Sequence, residues 1–255
     1  DNFCWCSPEE PERLYQLKKS LEACYDFSLF FQTPFISGKD SMYNDFNGYD
    51  KKNNKIKISI PPTLLISSIG VINNQNNLQT IVPQNSNDLI YLIGKTSNEL
   101  GGSEFSKIFG TKSRIVAPVN KKNAKENYNS FTKANKNKLI KSAISVSIGG
   151  LGTALAKMAI ASQKGLSINL NNINLNENKI ENNNILFSES PSRIITTISP
   201  QNKNKFEKHF KNNQLSLVGK INRSNKITFN LKNKKKFEVS IHLLTKNYKR
   251  DLFKQ

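Results

Sequence analysis

The sequence predicts an α/β protein built on mixed sheets, α+β in arrangement, and three observations predict it. Strand-like and helix-like runs alternate along the chain, several strands follow one another with no helix between them, and the apolar spacing switches between period 2 and period 3.6. With 255 residues, 36% of them hydrophobic and 22% charged, the chain has room for one large domain or two modest ones and can bury a real core.

Ser7-Pro8-Glu9-Glu10 carries a capping hydroxyl, a proline at the first helical position and a Glu three residues after the cap. Leu14, Leu17, Leu21 and Cys24 then recur at helical spacing, so a helix is expected from Pro8 to Phe31, ended by Thr33-Pro34. Phe35-Ile36 reads as a short strand entering a polar loop, residues 37–44. Ile56, Ile58 and Ile60 alternate with polar residues as in a half-exposed strand, and Thr63 to Ile72 is a β-branched and leucine run fit for a buried one. Residues 73–87 are rich in Asn and Gln and lack periodicity, so a linker is placed there, between a domain over 1–84 and another over 85–255.

Leu89 to Ile93 opens the second domain as a buried strand, and a helix is expected near Ser103 to Phe109. Residues 120–142 read as a surface helix. Ile144, Val146 and Ile148 suggest a strand, Gly149-Gly150 a turn, and Leu151, Leu155, Met158 and Ala159 the buried face of the next helix. Strands are expected at 166–170, 185–187, 194–198, 215–221, 227–229 and 237–241, with a helix over Pro200 to Lys211.

Lys and Arg number 38 against 19 Asp and Glu, a formal charge of +19, and the excess lies beyond residue 100. Residues 199–255 interleave Lys with Phe and Tyr, a pattern that a nucleic-acid groove with stacking platforms also shows. Yet 33 of the 38 basic residues are Lys, and they travel with 36 Asn on loop-like segments, so the charge reads as composition drift and no specific nucleic-acid partner is expected. No apolar stretch is long enough to span a membrane, the longest being broken by Pro61-Pro62. The three cysteines, Cys4, Cys6 and Cys24, form neither a disulfide framework nor a zinc set, which fits a reducing, cytoplasmic location. The start at Asp1 reads as a segment of a longer polypeptide.

Three loops carry candidate chemistry. Ser37-Gly38-Lys39-Asp40-Ser41 sets a flexible backbone, an ammonium, a carboxylate and two hydroxyls together, a combination suited to a Mg²⁺-phosphate group and equally available to a charged turn. Gly101-Gly102-Ser103 precedes a helix, where free N–H groups favour an anion; a plain Ser103 cap uses the same residues. Ser188 and Arg193 bound a polar turn between two expected strands, either a ligand-binding strand end or a salt-bridged turn. His209 and His242 sit in solvated settings and no nucleophile set appears.

Taken in order, residues 1–5 (Asp-Asn-Phe-Cys-Trp), 33–41, 60–67, 99–104 (Glu-Leu-Gly-Gly-Ser-Glu) and 186–193 (Leu-Phe-Ser-Glu-Ser-Pro-Ser-Arg) resemble the phosphoribosylformylglycinamidine synthase family. The resemblance implies a synthetase of two homologous halves, each built like aminoimidazole ribonucleotide synthetase, with this chain as most of the second half: the latter part of an N-type domain, then a C-type domain. It implies an ATP-dependent C–N ligase of purine biosynthesis using ATP and Mg²⁺, a ribonucleotide substrate, ammonia from a glutaminase subunit or domain, and the first half of the same polypeptide as partner. Ser37, Gly38, Lys39 and Ser41 would face nucleotide phosphates and Asp40 the metal. Gly101, Gly102 and Ser103 would hold a ribose phosphate, with Ser188 and Arg193 also binding phosphate. The pattern departs at residues 142–151, where the family's His, Asp and second acid are Ile144, Ser145 and Ile148, so one metal-binding corner is missing. No catalytic residue is expected within the segment, and a degenerate half that completes the fold is the alternative.

Overall fold

The computed structural model describes residues 1–116, 118–210, 214–231 and 235–250. It divides into two compact units, residues 1–71 and the chain from Ile72 onward.

The first unit comprises β1 (Asn2–Cys4), α1 (Pro11–Phe31), β2 (Lys39–Ser41), β3 (Asp45–Tyr49), β4 (Lys55–Ser59) and β5 (Thr63–Leu65). β1 is central in a three-stranded sheet, parallel to β2 and antiparallel to β5, and β3 and β4 form a separate hairpin. Phe3, Trp5 and Cys6 are buried beneath Leu17, Cys24, Met42, Ile60 and Leu64, and the Trp5 indole N–H donates to Arg13 O at 3.0 Å.

Several local expectations need correction. The helix starts at Pro11 rather than Pro8, because Pro11 occupies the first turn, where its missing N–H costs nothing; the Ser7 hydroxyl instead accepts from Glu9 N in the preceding turn. Phe35-Ile36 forms no strand, and the strand lies at 39–41. Of the run from Thr63 to Ile72, only 63–65 pair, and Leu65, Ile66, Ile69, Val71 and Ile72 are exposed. β1 and β3 are strands that the sequence did not suggest, and the turn from β3 into β4 is held by the Asp50 carboxylate accepting from the N–H groups of Lys52 and Asn54, both at 2.8 Å.

The second unit holds β6 (Leu89–Ile93), α2 (Glu104–Phe109), α3 (Lys121–Lys136), β7 (Ile140–Val146), α4 (Gly150–Ser162), β8 (Gly165–Asn169), α5 (Asn182–Phe187), β9 (Arg193–Ile198), α6 (Lys203–Glu207), β10 (Leu215–Asn222), β11 (Lys226–Asn230), β12 (Lys236–Ser240) and α7 (Ile241–Tyr248). Seven strands form one sheet in the order β12-β11-β8-β10-β6-β9-β7, antiparallel except for the β11–β8 pair, so the mixed sheet is as expected.

Both faces of this sheet are covered. Ile90 and Leu92 point into a core with α4, α5 and α7, while Tyr91 and Ile93 point the other way into a core with α3 and α6. That is why β6 reads as an unbroken apolar run.

Residues 185–187 are the end of helix α5, not a strand: Ile185 N donates to Glu181 O, and Ile185 and Leu186 pack on the α4 side of the sheet. The surface helix expected over 120–142 stops at Lys136, and Lys138 takes a left-handed φ of 54° before β7 begins. The helix expected over 200–211 is a 3-10 turn followed by the short α6, and Lys211 lies outside the described residues. Residues 73–87, read as a linker, are tied to the second unit: Asn77 O accepts from Asn135 Nδ2, Thr80 O from Ala143 N, and Asn87 N donates to Ile221 O. Among the described residues no helix is long and apolar enough to cross a membrane.

Candidate functional site

In the first unit Lys39, Asp40 and Ser41 lie on the edge strand β2. Strand alternation puts Lys39 and Ser41 on one face and Asp40 on the other. Among the described residues the Lys39 ammonium and the Asp40 carboxylate have no partner, whereas the Ser41 hydroxyl donates to Asn44 Oδ1 at 3.0 Å. No group of three or more His, Cys, Asp or Glu side chains gathers around a metal-sized space among the described residues. Asp40 therefore fits Mg²⁺ only as a single carboxylate beside phosphate oxygens and water, an arrangement this ion accepts.

In the second unit, three sequence motifs converge on one side chain. The Glu189 carboxylate oxygen Oε1 accepts from Gly149 N at 2.8 Å, at the start of α4, and from Glu104 N at 3.0 Å, at the start of α2. Both donors are first-turn N–H groups with no partner inside their helices, so a carboxylate is the group these positions favour. The Gly149-Gly150 turn needs glycine: both residues have positive φ, and a Cβ on Gly150 would stand 2.6 Å from Ser188 O. Phe105 of α2 stacks on Phe187 of α5 at 5.4 Å between ring centres, fixing α2 against the same segment.

The Gly101-Gly102-Ser103 turn is shaped by the protein's own backbone. Gly101 N donates to Ile115 O, and a Cβ on Gly101 would lie 2.7 Å from that oxygen. Ser103 is buried, accepts from Ser106 N at 3.2 Å as the cap of α2 and donates to Leu100 O at 2.7 Å. Its hydroxyl is thus engaged within the protein.

Arg193 is 1% exposed and points inward. Nε donates to Ser190 O at 3.0 Å, Nη1 to Thr96 Oγ1 at 2.9 Å and Nη2 to Ser188 O at 2.6 Å, which closes the 188–193 turn. The turn joins a helix to a strand, not two strands as expected. Burial pulls the Arg193 pKa down to about 10, with the Glu99 charge opposing. In this setting Arg193 and Ser188 shape the turn, and neither meets solvent.

Glu99, which sequence reasoning passed over, is 5% exposed, and neither carboxylate oxygen has a hydrogen-bond partner. Burial pushes its carboxyl above the usual range. The Ser190 hydroxyl, which accepts from Ser97 N, and the Arg193 charge pull the other way, while Glu177 adds to the rise. Its only sequence signal was its place beside the Gly-Gly-Ser turn; Glu189 was equally inconspicuous inside the 188–193 motif.

Where the sequence departs at 144–148, β7 and α4 enclose a cleft of about 250 Å³ lined by Ile144, Ser145, Ser147, Ile148, Ala154 and Lys157. It contains no carboxylate, so the missing corner does not fit Mg²⁺. Ile148, expected on the strand, lies beyond the end of β7 and is 68% exposed.

A family model described as AIR synthase related protein, C-terminal domain, matches residues 85–232. The chain belongs to the AIR synthase related family. Within it, the chain is 31% identical over 251 residues to the phosphoribosylformylglycinamidine synthase subunit PurL of Methanococcus aeolicus, and 30% identical over 227 residues to that of Lactobacillus acidophilus. These matches cover 97% and 89% of this chain but 32% and 28% of the relatives, so the chain spans about a third of their length. Among solved structures, Thermotoga maritima PurL complexed with ATP superposes with a TM-score of 0.66 at 15% identity, covering 96% of this chain and 37% of that one. The hydrogenase maturation protein HypE of Escherichia coli gives 0.62 at 9% identity over 94% and 71%. The fold of this AIR synthase related chain is therefore theirs, and the kinship expected from five ordered motifs is borne out.

Proposed function

We propose that this chain is part of the second half of a phosphoribosylformylglycinamidine synthase. The synthetase would convert formylglycinamide ribonucleotide, ATP and glutamine-derived ammonia into formylglycinamidine ribonucleotide, ADP and phosphate. The observation that carries the reading is the join at Glu189, which brings together the 99–104, 149–151 and 186–193 segments in a chain related to PurL subunits along nearly its whole length.

In that reaction the oxygen of the substrate's glycinamide carbonyl, next to the ribose nitrogen, attacks the γ-phosphorus of ATP and ADP departs. Ammonia then adds to the activated carbon, which loses phosphate and a proton. We assign this chain the part of binding and holding, and the acid–base chemistry of those steps to the rest of the polypeptide. Lys39 and Ser41 would face phosphate from one side of β2, and Asp40 would give Mg²⁺ one carboxylate oxygen when the ion is bound. The first half of the polypeptide and a glutaminase would supply the remainder of the site, in the cytoplasm. Complementation of a purine auxotroph by the whole gene, and its loss on altering Lys39 and Asp40, tests the reading; failure of the unaltered whole gene to complement would sink it. The isolated chain should show only background ATP hydrolysis.

One observation favours a second reading, a structural half that binds no nucleotide: the corner at Ile144, Ser145 and Ile148 holds no acid. It predicts that calorimetry on the whole polypeptide detects no nucleotide attributable to this half.

A further inference from the structure

We propose that residues 67–71 are an interface strand that pairs, antiparallel, with the segment of the whole polypeptide running into β1. Ser67 then faces the residue immediately ahead of Asp1, Ser68 the second, Ile69 the third and Val71 the fifth. The inference rests on the synthetase reading for the existence of that segment, since this chain covers only 32% and 28% of two PurL relatives.

The run is composed as a strand and is not paired as one. Ile66, Ile69 and Val71 are β-branched, the type that favours a pleated and covered backbone. Yet Ile69 is 88% and Val71 85% exposed. No backbone group from Ser67 to Val71 has a hydrogen-bond partner among the described residues. An apolar run with an unpaired backbone is a template for another strand.

The β1–β5 register names the occupant. Thr63, Leu64 and Leu65 stand opposite Cys4, Phe3 and Asn2, so one further step sets Ile66 opposite Asp1 and each later residue opposite one ahead of it. The backbone at Asp1 still runs in line with β1: Asp1 N donates to Ser37 O at 3.0 Å, and Asp1 O accepts from Lys39 N at 3.1 Å. Both groups point toward the β2 side, which leaves the β5 side open to residues 67–71. A slip of one residue is excluded by the core, because Phe3 and Leu64 face each other and both pack there, and a slip would turn one of them out. In this register Leu65, Ile69 and Val71 share one face of the strand as an apolar stripe. A second copy of the chain would have to displace the line of β1 to reach the same edge.

Two measurements on the whole polypeptide test the pairing. Hydrogen exchange on the unaltered protein should show amides within 67–71 slowed by about a hundredfold or more relative to an unstructured segment. Ser68→Cys combined with a cysteine at the second position ahead of Asp1 should close an intramolecular disulfide on oxidation, because directly opposite side chains share a face. Ser68→Cys with the cysteine at the third position should not, since that side chain leaves the other face. Free exchange over 67–71 overturns the proposal, and so does no bond in the matched pair or equal bonding in the shifted one. Disulfides between two molecules would name a second copy as the occupant and overturn it as well. Complementation by the unaltered whole gene separates the two ideas: with complementation and free exchange only the strand falls, whereas a matched disulfide without complementation keeps the strand and sinks the synthetase reading.

Discussion

The carboxylate of Glu189 accepts the backbone N–H of Gly149 at 2.8 Å, and through it the turn before α4 is tied to the 188–193 turn. The same oxygen takes the N–H of Glu104, so one side chain sets the relative placement of two helix starts. Glu189→Ala leaves both donors without their acceptor and should cost about 2 kcal/mol in chemical denaturation. Glu189→Gln keeps an acceptor oxygen and loses only the charge that favours helix starts, so it should cost about 1 kcal/mol or less. Equal losses in the two variants would show that charge, not acceptance, is what matters.

Arg193→Lys tests whether the guanidinium shapes the turn or serves a ligand. Lysine cannot reproduce a fork that reaches Ser188 O, Ser190 O and Thr96 Oγ1 together, so the variant should lose about 2 kcal/mol or more of stability. Nucleotide affinity of the folded protein should stay unchanged. Full stability with weakened phosphate binding would return Arg193 to the ligand role that its position in the motif suggested.

Glu99 makes a pH prediction of definite sign. Burial raises its folded pKa above the unfolded value, so the folded state holds the proton more tightly. Its protonated form therefore stabilises the fold below the unfolded pKa, near 4.3, and that stability is lost as pH rises through the raised folded pKa. Glu99→Gln mimics the neutral acid and should raise the melting midpoint at pH 7 relative to the unaltered protein, with the difference shrinking toward pH 4. A lower midpoint at pH 7 would mean that the Glu99 charge is needed opposite Arg193.

What the sequence made legible follows from the length of each signal. β6 and α4 were clear because their buried faces repeat over a whole element, Ile90 to Ile93 and Leu151 to Ala159. Residues 185–187 were not, because an apolar run that short fits a helix end as well as a strand; only the Glu181–Ile185 bond settles it. The run at 63–72 misled because most of its apolar residues, Leu65, Ile66, Ile69, Val71 and Ile72, are strand-like yet exposed. At the site, the motifs were visible and their linkage was not. The bond from Glu189 to Gly149 spans 40 residues, and the burial of Arg193 and Glu99 depends on the segments packed around them.

The double variant Ser145→Asp/Ile148→Asp asks whether the corner can be turned back toward a metal. Ser145 and Ile148 are both exposed at the cleft, so the two aspartates enter solvent-facing positions and should change the unliganded melting midpoint little, within about 0.5 kcal/mol. Two carboxylates would outweigh the nearby Lys157 charge and give the corner oxygen ligands suited to a hard cation. Mg²⁺ alone should then raise the midpoint of the variant and not of the unaltered protein, because a ligand that binds only the folded state stabilises it by mass action. A fall in the unliganded midpoint of several degrees would show that Ile148 supports the fold despite its exposure, and equal Mg²⁺ responses in both proteins would place the divalent site away from this corner.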